Sequence, residues 1–146
     1  MLGLLGWYEL TGDHKALAAA AGVADHLLSL VGPGKIDIVR TGDYRGMPSS
    51  TVLEPIMSLY DKTGERRYLD FASYIVAQWE TPEGPQLISK ADVPVALRFP
   101  HPDSWFSYEN GQKAYEMMSC YEGLLEYYKV TGNRTDYEAV LKAYSH

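Results

Sequence analysis

One helix ending is written three times in this chain. Residues 123–133, GLLEYYKVTGN, match residues 3–13, GLLGWYELTGD, at six of eleven positions, and PIMSLYDKTGE at 55–65 is a more divergent copy. Within each copy the apolar residues recur at helical spacing, as Tyr121, Leu124, Leu125 and Tyr128 do. A glycine then follows, Gly12, Gly64 or Gly132, and supplies the left-handed residue that closes a helix without a Cβ clash. A second apolar stripe starts at once. After Gly64 it runs through Tyr68, Leu69, Ala72, Ile75, Val76 and Trp79; after Gly12 it runs through Leu17, Ala20, Ala24, Leu27, Leu28 and Val31. So short a turn makes the two helices antiparallel neighbours. The unit is an αα-hairpin, present three times, and the fold is predicted to be all-α. The spacing predicts helices near 1–11, 14–31, 49–62, 66–79, 112–130 and 134–145.

The turn glycines lie 52 and then 68 residues apart. That exceeds the roughly 34 to 47 residues of common helical solenoid repeats. The excess sits in two linkers, VGPGKIDIVRTGDYRGMPSS and TPEGPQLISKADVPVALRFPHPDSWFSYEN, the second carrying five of the eight prolines. Long irregular loops in a compact chain are more often functional than structural. Both lead into equivalent helices, so their ends, Tyr44 to Ser50 and Trp105 to Glu116, are expected to form one rim. The first helix has fewer leading residues than its two counterparts, and the chain therefore reads as a piece of a longer protein. A single domain of three hairpins, about 1–31, 49–79 and 112–146, is expected.

Composition excludes several classes. A formal net charge of −6 and no Lys/Arg cluster argue against nucleic acid as a partner. No apolar run approaches the length of a membrane span. A single cysteine excludes an intrachain disulfide framework and a cysteine-built metal site. Twelve tyrosines and three tryptophans against three phenylalanines favour amphipathic rings, which suit sugar-binding clefts as well as cores with polar edges. No phosphate loop, nucleophile elbow or Ser-His-Asp spacing is present.

The stretches GMPSSTVLEPIMSLYDKTGERRYLDFASYI and GQKAYEMMSCYEGLLEYYKVTGN resemble the toroidal catalytic domain of the β-L-arabinofuranosidase family, glycoside hydrolase family 127. The resemblance covers roughly residues 40–140 and the first hairpin. It implies an arc of an (α/α)6 toroid, three hairpins of six, and a carbohydrate substrate. It also implies retaining hydrolysis of L-arabinofuranosides by a cysteine nucleophile held in a zinc-bound cluster of cysteines and a glutamate. Cys120 does not match that cluster, because it stands mid-helix with no neighbouring cysteines. Neither nucleophile nor zinc ligand is therefore assigned, no cofactor is expected in this chain, and zinc belongs on the resemblance to the longer parent. For that parent the resemblance favours a secreted or periplasmic setting.

In an α/α toroid the inner helices line the cavity. Glu54 and Glu122 stand in register, each one residue before Pro55 or Gly123, and are the candidate catalytic carboxylates. Glycosidases place such pairs about 5.5 Å apart for retention and about 6.5–9.5 Å for inversion. The competing reading is that glutamates early in a helix serve its dipole and solvent. Glu109, Lys113 and Glu116 are candidate ligands for sugar hydroxyls, or a surface pair in the case of Lys113 and Glu116. Trp105, Tyr108 and Tyr115 are candidate stacking platforms, or anchors for the proline-rich loop. Tyr44 and Ser49 complete the rim. His101 and Asp103 have metal-like spacing without a third ligand. His14 and His26 read as surface residues, and Cys120 as part of a small-residue strip for close helix packing.

These readings converge on a fragment of a glycoside hydrolase, inactive by itself. The alternatives are a helical scaffold for a protein partner, or a related toroid enzyme such as a sugar epimerase or an unsaturated-uronyl hydrolase. The apolar, uncapped first helix further predicts self-association.

Overall fold

The structure, a computed structural model, describes residues 1–94, 97–99 and 113–145. Among these the fold is all-α, with no strand beyond one isolated bridge between Val31 and Ile36. Three αα-hairpins account for most of it. They are α1 (Leu2–Thr11) with α2 (His14–Leu30), α4 (Leu53–Thr63) with α5 (Arg66–Trp79), and α6 (Ala114–Thr131) with α7 (Arg134–Tyr144). A one-turn helix, α3 (Met47–Ser50), precedes α4. No helix among the described residues is long and apolar enough to cross a membrane.

The repeated turn has one hydrogen-bond pattern. Gly12, Gly64 and Gly132 all take the left-handed conformation, φ 70°, 67° and 70°, and donate their N–H to Tyr8, Tyr60 and Tyr128 four residues back. The threonine before each glycine works in both directions. Its hydroxyl donates to the carbonyl of Trp7, Leu59 or Tyr127, at 2.6, 2.8 and 3.0 Å. Its oxygen accepts from the N–H of Asp13, Glu65 or Asn133 across the glycine. Carbonyls that a helix end leaves unpaired are thus satisfied, and the next helix starts without slack. Asp13 and Asn133 then cap α2 and α7 through their side chains.

One expected helix differs. The spacing predicts a single helix over 49–62, but the chain makes α3, a turn at Thr51–Val52, and α4. Pro55 is the cause: it has no N–H to offer the carbonyl of Thr51, so the hydrogen-bond ladder is interrupted there.

Helix α4 is central, touching α5, α6, α1 and α2. Around it Leu53, Ile56, Leu59, Tyr68, Ile75, Trp79, Tyr121 and Leu124 are fully buried. The described parts of the linkers are anchored. Ile38 and Met47 enter the core, Arg40 forms a two-pronged pair with Glu83 at 2.5 and 2.8 Å, and Tyr121 donates to the carbonyl of Leu87 at 2.8 Å.

Candidate functional site

The first helices of the three hairpins, α1, α4 and α6, stand side by side, and between them runs a polar groove of about 450 Å³. Gly6 and Glu9 line it from α1, Glu54, Ser58, Asp61 and Lys62 from α4, and Glu126 and Lys129 from α6. Helical periodicity puts Tyr115, Glu122, Glu126 and Lys129 on one face of α6. Lys62 is paired with Glu9 and Lys129 with Glu126, both at 2.5 Å.

The close approach of α4 and α6 depends on Gly123. A Cβ there would lie 2.8 Å from the backbone nitrogen of Glu54 and 2.9 Å from Cβ of Leu53. Only a residue without a side chain lets the two helices meet at this height. The contact brings the register-equivalent carboxylates of Glu54 and Glu122 into each other's field. Glu54 is half-buried, and its pKa is raised above the ordinary glutamate value, first by burial and then by the negative charges of Glu122 and Glu126. Glu122 is exposed. One carboxyl biased toward its proton beside an exposed partner is an arrangement suited to proton transfer.

Tyr115 stands exposed on the same face of α6, about 10 Å up the helix axis from Glu122 at 1.5 Å per residue. Near it, Lys113 lies over the Tyr44 ring, 4.8 Å from its centroid, and pairs with Glu116 at 3.4 Å. The second oxygen of Glu116 is buried without a hydrogen-bond partner. Tyr44, Lys113 and Glu116 are therefore brought together. Ser49 is elsewhere: its hydroxyl donates to the carbonyl of Thr41 at 2.8 Å, and it lines a separate apolar cleft beside α2. Trp105, Tyr108, Glu109, His101 and Asp103 lie outside the described residues. His14 and His26 are exposed.

Sequence reasoning missed three features. Glu126, one turn beyond Glu122, had only its spacing to signal it. Tyr44, Arg45 and Gly46 all have positive φ, 51°, 57° and 74°, a left-handed turn strained at the two non-glycine residues. That turn aims Arg45 at the second linker, where its guanidinium lies 3.8 Å from the Phe99 centroid, with the Lys90 ammonium 4.2 Å from the same ring. Arg98 is buried and donates to the carbonyls of Val93 and Ala91.

Cys120 tests the zinc-thiolate chemistry that the resemblance implies. It is the one cysteine of the chain. Its thiol is buried against the Met47 carbonyl, 3.5 Å away, and burial, then the charge of Glu116, push its pKa far upward. Among the described residues no group of three or more His, Cys, Asp or Glu side chains is arranged to hold a metal ion. These residues do not fit a cysteine-ligated zinc site.

A comparison with protein-family models matches residues 1–96 to the β-L-arabinofuranosidase GH127 catalytic domain. The chain belongs to this family of glycoside hydrolases. The match covers the first two hairpins and their linker; the KAYEMMSCYEGLLEYY stretch lies beyond it. Among curated proteins and among solved structures, nothing matches the chain.

Proposed function

We propose that this chain forms one wall of the sugar cleft of a glycoside hydrolase acting on L-arabinofuranosides or related glycans. The observation that supports the reading is the close approach of α4 and α6 at Gly123, with Glu54 in the field of Glu122 and its pKa raised, first by burial and then by that charge. In this reading Glu54 gives its proton to the departing glycosidic oxygen as the bond to the anomeric carbon breaks. Glu122 takes a proton from the water that attacks that carbon. Tyr115 offers a ring face to a neighbouring sugar unit, and Lys113, Glu116 and Tyr44 meet its hydroxyls at the upper end. In this reading a single chain supplies only this wall, and it binds sugar without completing the reaction.

Side-chain NMR during a titration with methyl L-arabinofuranoside tests this. The expected result is a saturable perturbation of the Tyr115 ring and the Glu54 carboxyl, weakened in Tyr115→Ala. If saturating sugar leaves both signals unmoved, or shifts only residues of the apolar cleft beside α2, the reading is wrong.

A further inference from the structure

The middle hairpin shows what an α/α unit of this chain looks like with both flanks covered. Leu59, Phe71 and Ile75 form one of those flanks, at 0, 6 and 0% exposure. Over it lie α2, whose Asp25 accepts from Arg67 and Tyr68, and the Ile38–Arg40 turn, where the Ile38 amide donates to the Tyr74 hydroxyl. The glycine register places Trp7, Ala19 and Val23 at the same three positions of the first hairpin. Here the burial is reversed. Trp7 is 55% exposed, Val23 is 51% exposed, and Ala19 is also exposed.

Two further observations concern the end of the first hairpin next to this flank. Gly3 is the register mate of Gly123, the residue whose missing Cβ admits a neighbouring helix; nothing lies within 4 Å of a Cβ built on Gly3. Beside it opens an apolar cleft of about 770 Å³, walled by Leu2, Val23, Leu27 and Leu30 of the first hairpin and by Pro48, Val52 and Pro55 at the start of the second, with His26 as the one titratable side chain among the described residues that line it. The contact that joins α4 to α6 is thus prepared again on α1 and left unfilled. An apolar face of this extent seeks a partner.

We infer that the socket takes the third hairpin of a second copy of this chain. The template within the chain is one αα-hairpin packed against the next, and α6–α7 is such a hairpin. Its own outer flank is bare: Tyr144 is 54% exposed, whereas its register mate Val76 is 9% exposed, and Leu141 beside it is 51% exposed. Each copy then carries one socket and one plug. Two copies related by a two-fold axis satisfy both pairs at once and close, with no open end left for a third. This inference does not depend on the roles of Glu54 and Glu122.

Sedimentation velocity of the 146-residue chain across micromolar concentrations tests it. A reversible dimer is expected, with Trp7 emission shifting to shorter wavelength as the dimer forms. Trp7→Glu with Val23→Glu, both at exposed sites, is expected to give a monomer whose circular dichroism is unchanged, and Tyr144→Glu alone is expected to do the same. A wild-type chain that stays monomeric throughout the range overturns the inference. So does a dimer that survives Tyr144→Glu, because that dimer would not use the third hairpin as its plug.

Discussion

Gly123 shows how much a single hydrogen atom can decide. Gly123→Ala forces a Cβ to within 3 Å of the Glu54 nitrogen and Leu53, and backbone cannot step aside as a side-chain tip can. We expect destabilisation of about 1–3 kcal/mol in urea titration, the usual range for overpacking. Gly22→Ala is the control: its Cβ meets nothing within 4 Å, so mid-helix alanine should add about 0.5–1 kcal/mol. Glu54 supports a prediction of a different kind. Its pKa is raised in the folded chain, so the native state holds this proton more tightly than the unfolded state. Stability tied to Glu54 is therefore greatest at low pH and falls as pH rises from the unfolded carboxyl value, about 4.3, through the folded one. Glu54→Gln should have a Tm above wild type at neutral pH, and the gap should close in acid. A Tm difference that is flat with pH would show that Glu54 carries no such shift.

At the scale of elements, the Thr-Gly turn is the unit that makes hairpins. Thr131→Val removes a hydroxyl that donates to Tyr127 and accepts from Asn133, a loss of about 1 kcal/mol for bonds of this exposed kind. Gly132→Ala puts a Cβ on a residue at φ 70°, costing about 1–2 kcal/mol. Thermal melts of the two variants should rank them in that order. These turns were legible in the sequence because every bond in them spans five residues or fewer. Other elements were not. The run of helical spacing over 49–62 did not reveal how Pro55 would divide it into α3 and α4, since the proline ring is compatible with a helix's first turn as well as with its end. The left-handed turn at Tyr44 and Arg45 was also hidden. Neither residue favours positive φ; contacts distant in sequence accompany the turn, among them the packing of Gly46 onto the backbone of Val39, where a Cβ would come within 2.4 Å, and the hydrogen bond from Arg45 to the Pro82 carbonyl.

At the scale of the whole molecule, a chain that supplies one wall of the cleft is expected, as a monomer below its self-association range, to leave nitrophenyl arabinofuranosides uncleaved while still binding arabinofuranosides; turnover by that monomer would show that three hairpins suffice. What the sequence determined by itself is the set of local decisions: three helix pairs, their turns and their apolar stripes, because each depends on residues within a few positions of one another. Register also announced that Glu54 and Glu122 occupy equivalent places. That each comes within the other's field was a tertiary decision. It required α4 and α6, whose equivalent residues Glu54 and Glu122 are 68 positions apart, to close upon Gly123, and the desolvation that shifts Glu54 exists only once they have. The same holds for Glu126 in the groove, for Arg45 and Lys90 against Phe99, and for the bare flank of α1 and α2. Periodicity says which side of a helix is apolar; which apolar side finds a neighbour depends on the packing of helices far apart in sequence.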